Sequence, residues 1–236
     1  MVRLFVEALP ALYACCDVLV RPQDVASAAR FQNDKRRREH LAWRRIVRRE
    51  LGREVVIDYN DVGAPTVDTP NIYISVAHGG EVVAVAIADC RVGVDVESME
   101  RNFERARDRY ASKEEVALSA QDGWLCMLWT AKEALYKLYG ERGVELLALK
   151  VVGYDAERGT MHATLPDGSE AEVKIERYSG NIVVAVATFC LILSRLLNYV
   201  KFLTKILISK KFLSSKVCVS LLIANKREWS LLSAGF

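Results

Sequence analysis

Helix-like and strand-like segments follow one another in the same order twice along this chain, and that order limits the fold more than any single motif does. Residues 25–51 carry Trp43, Ile46, Val47 and Leu51 at helical spacing, with Gly52 as a stop signal. A turn-rich stretch with Gly63, Pro65 and Pro70 follows. Strand-like runs come next at residues 72–77 and 81–88, joined by Gly79-Gly80 as a hairpin turn, and a third at 92–96. The second pass repeats the order. Residues 112–119 and 124–139 read as helices, with Gly140 ending the longer one, and strand-like runs follow at 147–154, 160–165, 170–177 and 182–188. Helix first and antiparallel strands after, twice, predicts an α+β duplication. Each half is then a helix packed on an antiparallel sheet. The expected boundaries are an N-terminal lobe at 1–90, a C-terminal lobe at 91–189 and a tail at 190–236.

The charge distribution sets the tail apart. The chain of 236 residues has a formal net charge of +3. Residues 190–236 hold eight Lys/Arg against the single acid Glu228, a net of +7, so the body is at −4. The apolar run at 190–209 is interrupted by Arg195, Lys201 and Lys205. At roughly 2.5–3.5 kcal/mol per charge at the bilayer centre, a membrane span is disfavoured. Ser194, Asn198, Lys201 and Lys205 share a helical face, so a basic amphipathic helix on a membrane surface is one reading, and an extension without function is the other. At the other end, Glu7 and Pro10 break the apolar run 4–16, which reads as a buried strand and turn rather than a signal peptide. Six cysteines without a C-x-x-C pair, and three histidines, give no zinc-ligand spacing and suggest a reducing cytoplasm.

Three clusters carry chemistry. In Val92-Gly93-Val94-Asp95-Val96-Glu97, strand alternation puts Asp95 and Glu97 on one face and the valines in the core. Two parallel carboxylates repel unless a cation lies between them, and oxygen-only ligands favour Mg²⁺ or another hard cation; the plainer alternative is an exposed acidic strand end. In Trp129-Thr130-Ala131-Lys132-Glu133-Ala134-Leu135-Tyr136-Lys137, Glu133 and Lys137 are four apart and share a helix face. That spacing suits a surface ion pair, or an acid for a metal beside a cation for a phosphate. The third, residues 71–80, places His78 at a strand end beside a glycine turn. An arginine-rich stretch, Lys35 to Arg49, adds a solvated face, a nucleic-acid patch or a phosphate-binding surface.

Taken in order, Gly93-Val94-Asp95-Val96-Glu97, then Tyr110-Ala111-Ser112-Lys113-Glu114-Glu115, then Trp129 to Lys137, the chain resembles the 4′-phosphopantetheinyl transferase superfamily in its two-lobed, surfactin-synthetase-activating form. The resemblance covers about residues 30–188. It implies a pseudo-duplicated two-lobed fold with the active site between the halves. The implied activity is transfer of the phosphopantetheine arm of coenzyme A to a serine of an apo acyl or peptidyl carrier protein, releasing 3′,5′-ADP. By the same resemblance, Asp95, Glu97 and Glu133 hold Mg²⁺ and Lys137 binds the pyrophosphate. Lys132 and His78 lie near the phosphates, Arg37 or Arg44 reaches the 3′-phosphate, and Glu133 deprotonates the carrier serine. A monomer is implied, with no nucleic acid as partner.

Two positions depart from the family pattern. A lysine within G-K-P is replaced in Gly63-Ala64-Pro65, and the serine that usually precedes the histidine is Ala77. Both changes bear on coenzyme A affinity. They leave two other readings open, a coenzyme A-binding paralogue without turnover and a basic module binding nucleic acid or membrane.

Overall fold

The computed structural model describes residues 1–10 and 18–190, within one compact unit spanning Met1–Cys190. The tail helix, and most of the expected turn that ends at residue 16, lie outside the described residues. The architecture is mixed α and β with antiparallel sheets.

The single helix expected over 25–51 is two. α1 (Pro22–Ala28) starts on a proline, and α2 (Asp34–Leu51) starts afresh because Asn33 caps it, its side chain accepting from the Lys35 and Arg36 amides at 2.8 and 3.3 Å. Trp43, Ile46 and Val47 of α2 are buried as the spacing predicts. They pack on a three-stranded sheet ordered β1 (Val2–Ala8), β5 (Val82–Ala88), β4 (Tyr73–Gly79). A short hairpin, β2 (Ile57–Tyr59) with β3 (Pro65–Val67), precedes β4.

Strand β5 explains how the layers stack. Its sequence, Val-Val-Ala-Val-Ala-Ile-Ala, is buried throughout. Val83, Val85 and Ile87 face α2, while Ala84, Ala86 and Ala88 face a second sheet. Large side chains fill the wider gap to a helix, and alanines let two sheets approach closely. The β4–β5 turn falls at Gly80-Glu81 instead of Gly79-Gly80, with φ of 54° and 60°, the left-handed pair a two-residue turn of this kind requires. Gly79 belongs to the strand, and a β-carbon there would strike the Val96 carbonyl oxygen of the second sheet.

That sheet has five strands in the order β6 (Val92–Ser98), β10 (Ile182–Phe189), β9 (Glu170–Tyr178), β8 (Thr160–Thr164), β7 (Lys150–Asp155), all antiparallel. Its outer face carries α4 (Trp124–Tyr139), whose Leu128, Leu135 and Leu138 are wholly sealed from water. Each such leucine contributes about 1.5–3 kcal/mol. The helix expected at 112–119 is one turn, α3 (Lys113–Val116), opened by a capping box in which the Glu115 carboxylate accepts from the Ser112 amide (2.8 Å); the same carboxylate also accepts from the Val151 amide (2.8 Å). The strand expected at 147–154 starts later, after a 3₁₀ turn at Leu146–Ala148, and bulges between Val151 and Gly153.

Strand β6 is therefore covered on both sides. Val94 and Val96 pack between the sheets, and the opposite face lies under α4. A β-carbon at Gly93 would run into the Ala134 carbonyl oxygen of α4. Gly93→Ala is therefore expected to destabilise the protein by about 1–3 kcal/mol or more, read as a lower urea midpoint at unchanged slope. A wild-type midpoint would mean that β6 and α4 do not approach this closely. Among the described residues no helix is long and apolar enough to cross a membrane.

Candidate active site

The acidic residues of β6 and the last two turns of α4 meet at one place. Asp95 is buried and faces α4 instead of ending an exposed strand. The Lys137 ammonium donates to Asp95 Oδ1 at 2.8 Å, to the Val94 carbonyl at 2.8 Å and to the Val76 carbonyl of β4 at 3.3 Å. The surface pair Glu133–Lys137 that their spacing permits does not form, because Asp95 takes the cation. Asp95 Oδ2 is buried without a hydrogen-bond partner. Glu97 accepts at Oε1 from Arg101 (2.5 Å) and from the Trp129 indole (3.0 Å). Arg101 is held in turn over the rings of Phe103 and Trp129.

Glu133 makes no hydrogen bond or ion pair among the described residues. Burial first, and the Asp95 charge second, push the Glu97 and Glu133 carboxyls above the usual range. The three expected metal ligands thus feel one another. Among the described residues, however, no three His, Cys, Asp or Glu side chains converge as a set that could hold a metal ion. The Arg101 and Lys137 cations supply the positive charge at this corner. The donor chemistry still suits a hard cation, with oxygen ligands only and one of them buried and orphaned.

Beside the acids lies a cavity of about 370 Å³. Lys137 lines it as well, with His78, Arg36 and Arg142, the Gly63-Ala64-Pro65 tip of the β2–β3 hairpin, and the exposed rings of Phe31 and Tyr59. Arg36 donates to His78 Nε2 at 2.7 Å and lies 3.5 Å from Glu39. Burial, helped by the Arg36 and Lys137 charges, lowers the His78 imidazole below its ordinary value, against the pull of Glu39.

Other expected residues are elsewhere. Lys132 is not near the cavity: it is fully buried and pairs with Glu115 at 2.5 Å, with a further bond to the Leu146 carbonyl at 3.2 Å. Burial draws its ammonium below the usual lysine range. Arg37 is spent on Asp34 and the Phe31 carbonyl. Arg44 is buried between Asp24 (3.3 Å), the Tyr59 hydroxyl (2.9 Å) and the Trp43 ring (4.0 Å). Neither of these arginines lines the cavity. Arg36 and Arg142 do; the sequence places Arg36 only within the basic stretch 35–49 and singles out nothing at Arg142. The basic stretch 35–49 is largely neutralised in the fold: Lys35 pairs with Glu81, Arg45 and Arg49 with Glu7, and Arg48 with Asp24. It is not the open basic stripe a nucleic-acid face needs.

The family model of the 4′-phosphopantetheinyl transferase superfamily matches residues 91–187. Those residues belong to that superfamily. The matched domain starts at β6 with Asp95 and Glu97, takes in α4 with Glu133 and Lys137, and ends within β10. A curated relative is the 4′-phosphopantetheinyl transferase psf-1 of Bacillus pumilus, 26% identical over 133 residues, covering 53% of this chain and 56% of that protein. The chain thus spans about half the length of the curated relative it matches. Within the superfamily domain, the glycine of G-V-D-V-E is the position where β6 and α4 touch backbone to backbone.

Proposed function

We propose that this protein transfers the 4′-phosphopantetheine arm of coenzyme A to a serine hydroxyl of an apo acyl or peptidyl carrier protein, releasing 3′,5′-ADP. The observation that carries the reading is the double placement of Lys137, which is bonded to Asp95 and also lines the cation-rich cavity. Carboxylates and a phosphate-sized, positively lined space therefore share one ammonium. Membership of residues 91–187 in the superfamily supports the same reading.

In this reaction the serine oxygen forms a bond to the pantetheine-bearing phosphorus of the pyrophosphate. The bond from that phosphorus to the bridging oxygen breaks, and the electron pair leaves with 3′,5′-ADP. Glu133, which has no hydrogen-bond or ion-pair partner among the described residues, accepts the serine proton. Lys137 and His78 bind and orient the pyrophosphate, so that charge on its oxygens is met by fixed donors. Asp95, Glu97 and Glu133 would hold Mg²⁺, which when bound neutralises the pyrophosphate oxygens. We also read the two helix-on-sheet layers as the halves 1–90 and 91–189 of a duplicated fold, acting as a cytoplasmic monomer, with the site where they meet.

The test is intact mass of an apo carrier protein after incubation with the full chain, coenzyme A and Mg²⁺, with a matched reaction in EDTA. A gain of one phosphopantetheine that disappears with EDTA is the expected result. No gain on either acyl or peptidyl carriers, with coenzyme A still bound tightly, would identify a paralogue that binds without turnover.

A further inference from the structure

We propose that Arg142 is the residue that selects for the 3′-phosphate of coenzyme A, supplying from the loop after α4 the cation that Ala64 does not. The inference rests on the coenzyme A reading above. Four cationic or ionisable nitrogen side chains other than His40 face the cavity: Arg36, His78, Lys137 and Arg142. The first three are already engaged, Arg36 and His78 with each other and with Glu39, Lys137 with Asp95. Arg142 makes no hydrogen bond or ion pair among the described residues. Its neighbour Glu141 also lines the cavity. His40 is neutral, lowered to about 4 by burial and the Arg44 charge.

Position completes the argument. The Arg142 Nη2 lies 3.9 Å from where a β-carbon on Gly63 would stand, so the guanidinium faces the tip of the β2–β3 hairpin. That tip is fixed: the Gly63 amide bonds to the Asn60 carbonyl at 2.8 Å, and the Ala64 amide to the Asn60 side chain at 2.8 Å. Gly63 has φ +83°, which only glycine adopts without strain. A lysine at 64 would reach the same space from the hairpin side. An arginine fork opposite it provides two parallel donors to a dianionic phosphate monoester, which a single ammonium does not. Arg37 and Arg44 cannot serve, being committed outside the cavity.

The experiment measures calorimetric Kd for coenzyme A and for dephospho-coenzyme A, which lacks the 3′-phosphate. The proteins are the full-length chain, Arg142→Ala, Arg142→Lys and the double variant Arg142→Ala with Ala64→Lys. Wild type should prefer coenzyme A. Arg142→Ala should lose roughly 10- to 100-fold in coenzyme A affinity, the range of a charged hydrogen bond. Its dephospho-coenzyme A affinity should stay within about twofold of wild type. Arg142→Lys should fall between, and Ala64→Lys should restore part of the loss. Equal weakening for both ligands, or coenzyme A affinity unchanged in Arg142→Ala, would overturn the assignment while leaving the coenzyme A reading intact. Wild type that binds neither ligand would overturn both. Thermal melting should be unchanged in Arg142→Ala, since the side chain makes no hydrogen bond or ion pair among the described residues.

Discussion

Glu133→Ala is expected to lower single-turnover loading of a carrier protein by roughly 10³-fold or more, while the protein melts at or above the wild-type temperature. The loss follows from removing both the group placed to take the serine proton and one oxygen ligand, effects worth several kcal/mol together, with each 1.4 kcal/mol a factor of ten. The stability half follows from the structure. Glu133 has no partner among the described residues and sits in the field of Asp95, so its removal relieves a like-charge repulsion and leaves no donor unsatisfied. Glu133→Gln separates the two roles: it keeps the shape and loses the base. Loading within tenfold of wild type in Glu133→Ala would remove this residue from the mechanism.

One position earlier, Lys132→Met should do the reverse. It strips the cation from Glu115, which is 4% exposed and already spends its oxygens on the Ser112 and Val151 amides. Breaking a buried pair from one side costs about 3–5 kcal/mol. For a protein of this size that lowers the melting temperature by roughly 6–20 °C. Loading per folded molecule should stay close to wild type, and adding Glu115→Gln should recover much of the stability by removing the stranded charge. A Lys132→Met protein that melts normally but loses turnover would return this lysine to the active site.

The contrast between these neighbours marks what the sequence could reveal. Adjacent helical residues point about 100° apart. Glu133 and Lys137 share the face that meets β6; that they share a face was legible from spacing, while its pairing with Gly93 to Glu97 came from the family resemblance. Lys132 shares its face with Leu128 and Leu135, both wholly buried. That apolar company was visible in the sequence and was outweighed by the family resemblance, which grouped both lysines with the phosphates. The bounds of α4 were legible at 124–139 because glycines with positive φ stand at both ends, Gly123 and Gly140. The break between α1 and α2 turned on one capping side chain, Asn33, inside a run rich in charge. The hairpin turn was displaced by one residue because Gly79 is required by the neighbouring sheet, a contact no local pattern reports. Arg36 and Arg142 reach the cavity from segments far apart in sequence, and nothing local distinguishes either from an ordinary surface arginine.

Lys137 is anchored to carbonyls on strands of two different sheets and to the Asp95 carboxylate under α4. A side chain held that way is a rivet as well as a reagent, so nearly any exchange there disturbs assembly and chemistry together. Arg142, with no hydrogen bond or ion pair among the described residues, can change without disturbing the packing beneath it. Drift in donor preference among proteins built on this plan should therefore accumulate at the loose rim of the cleft and spare its riveted floor.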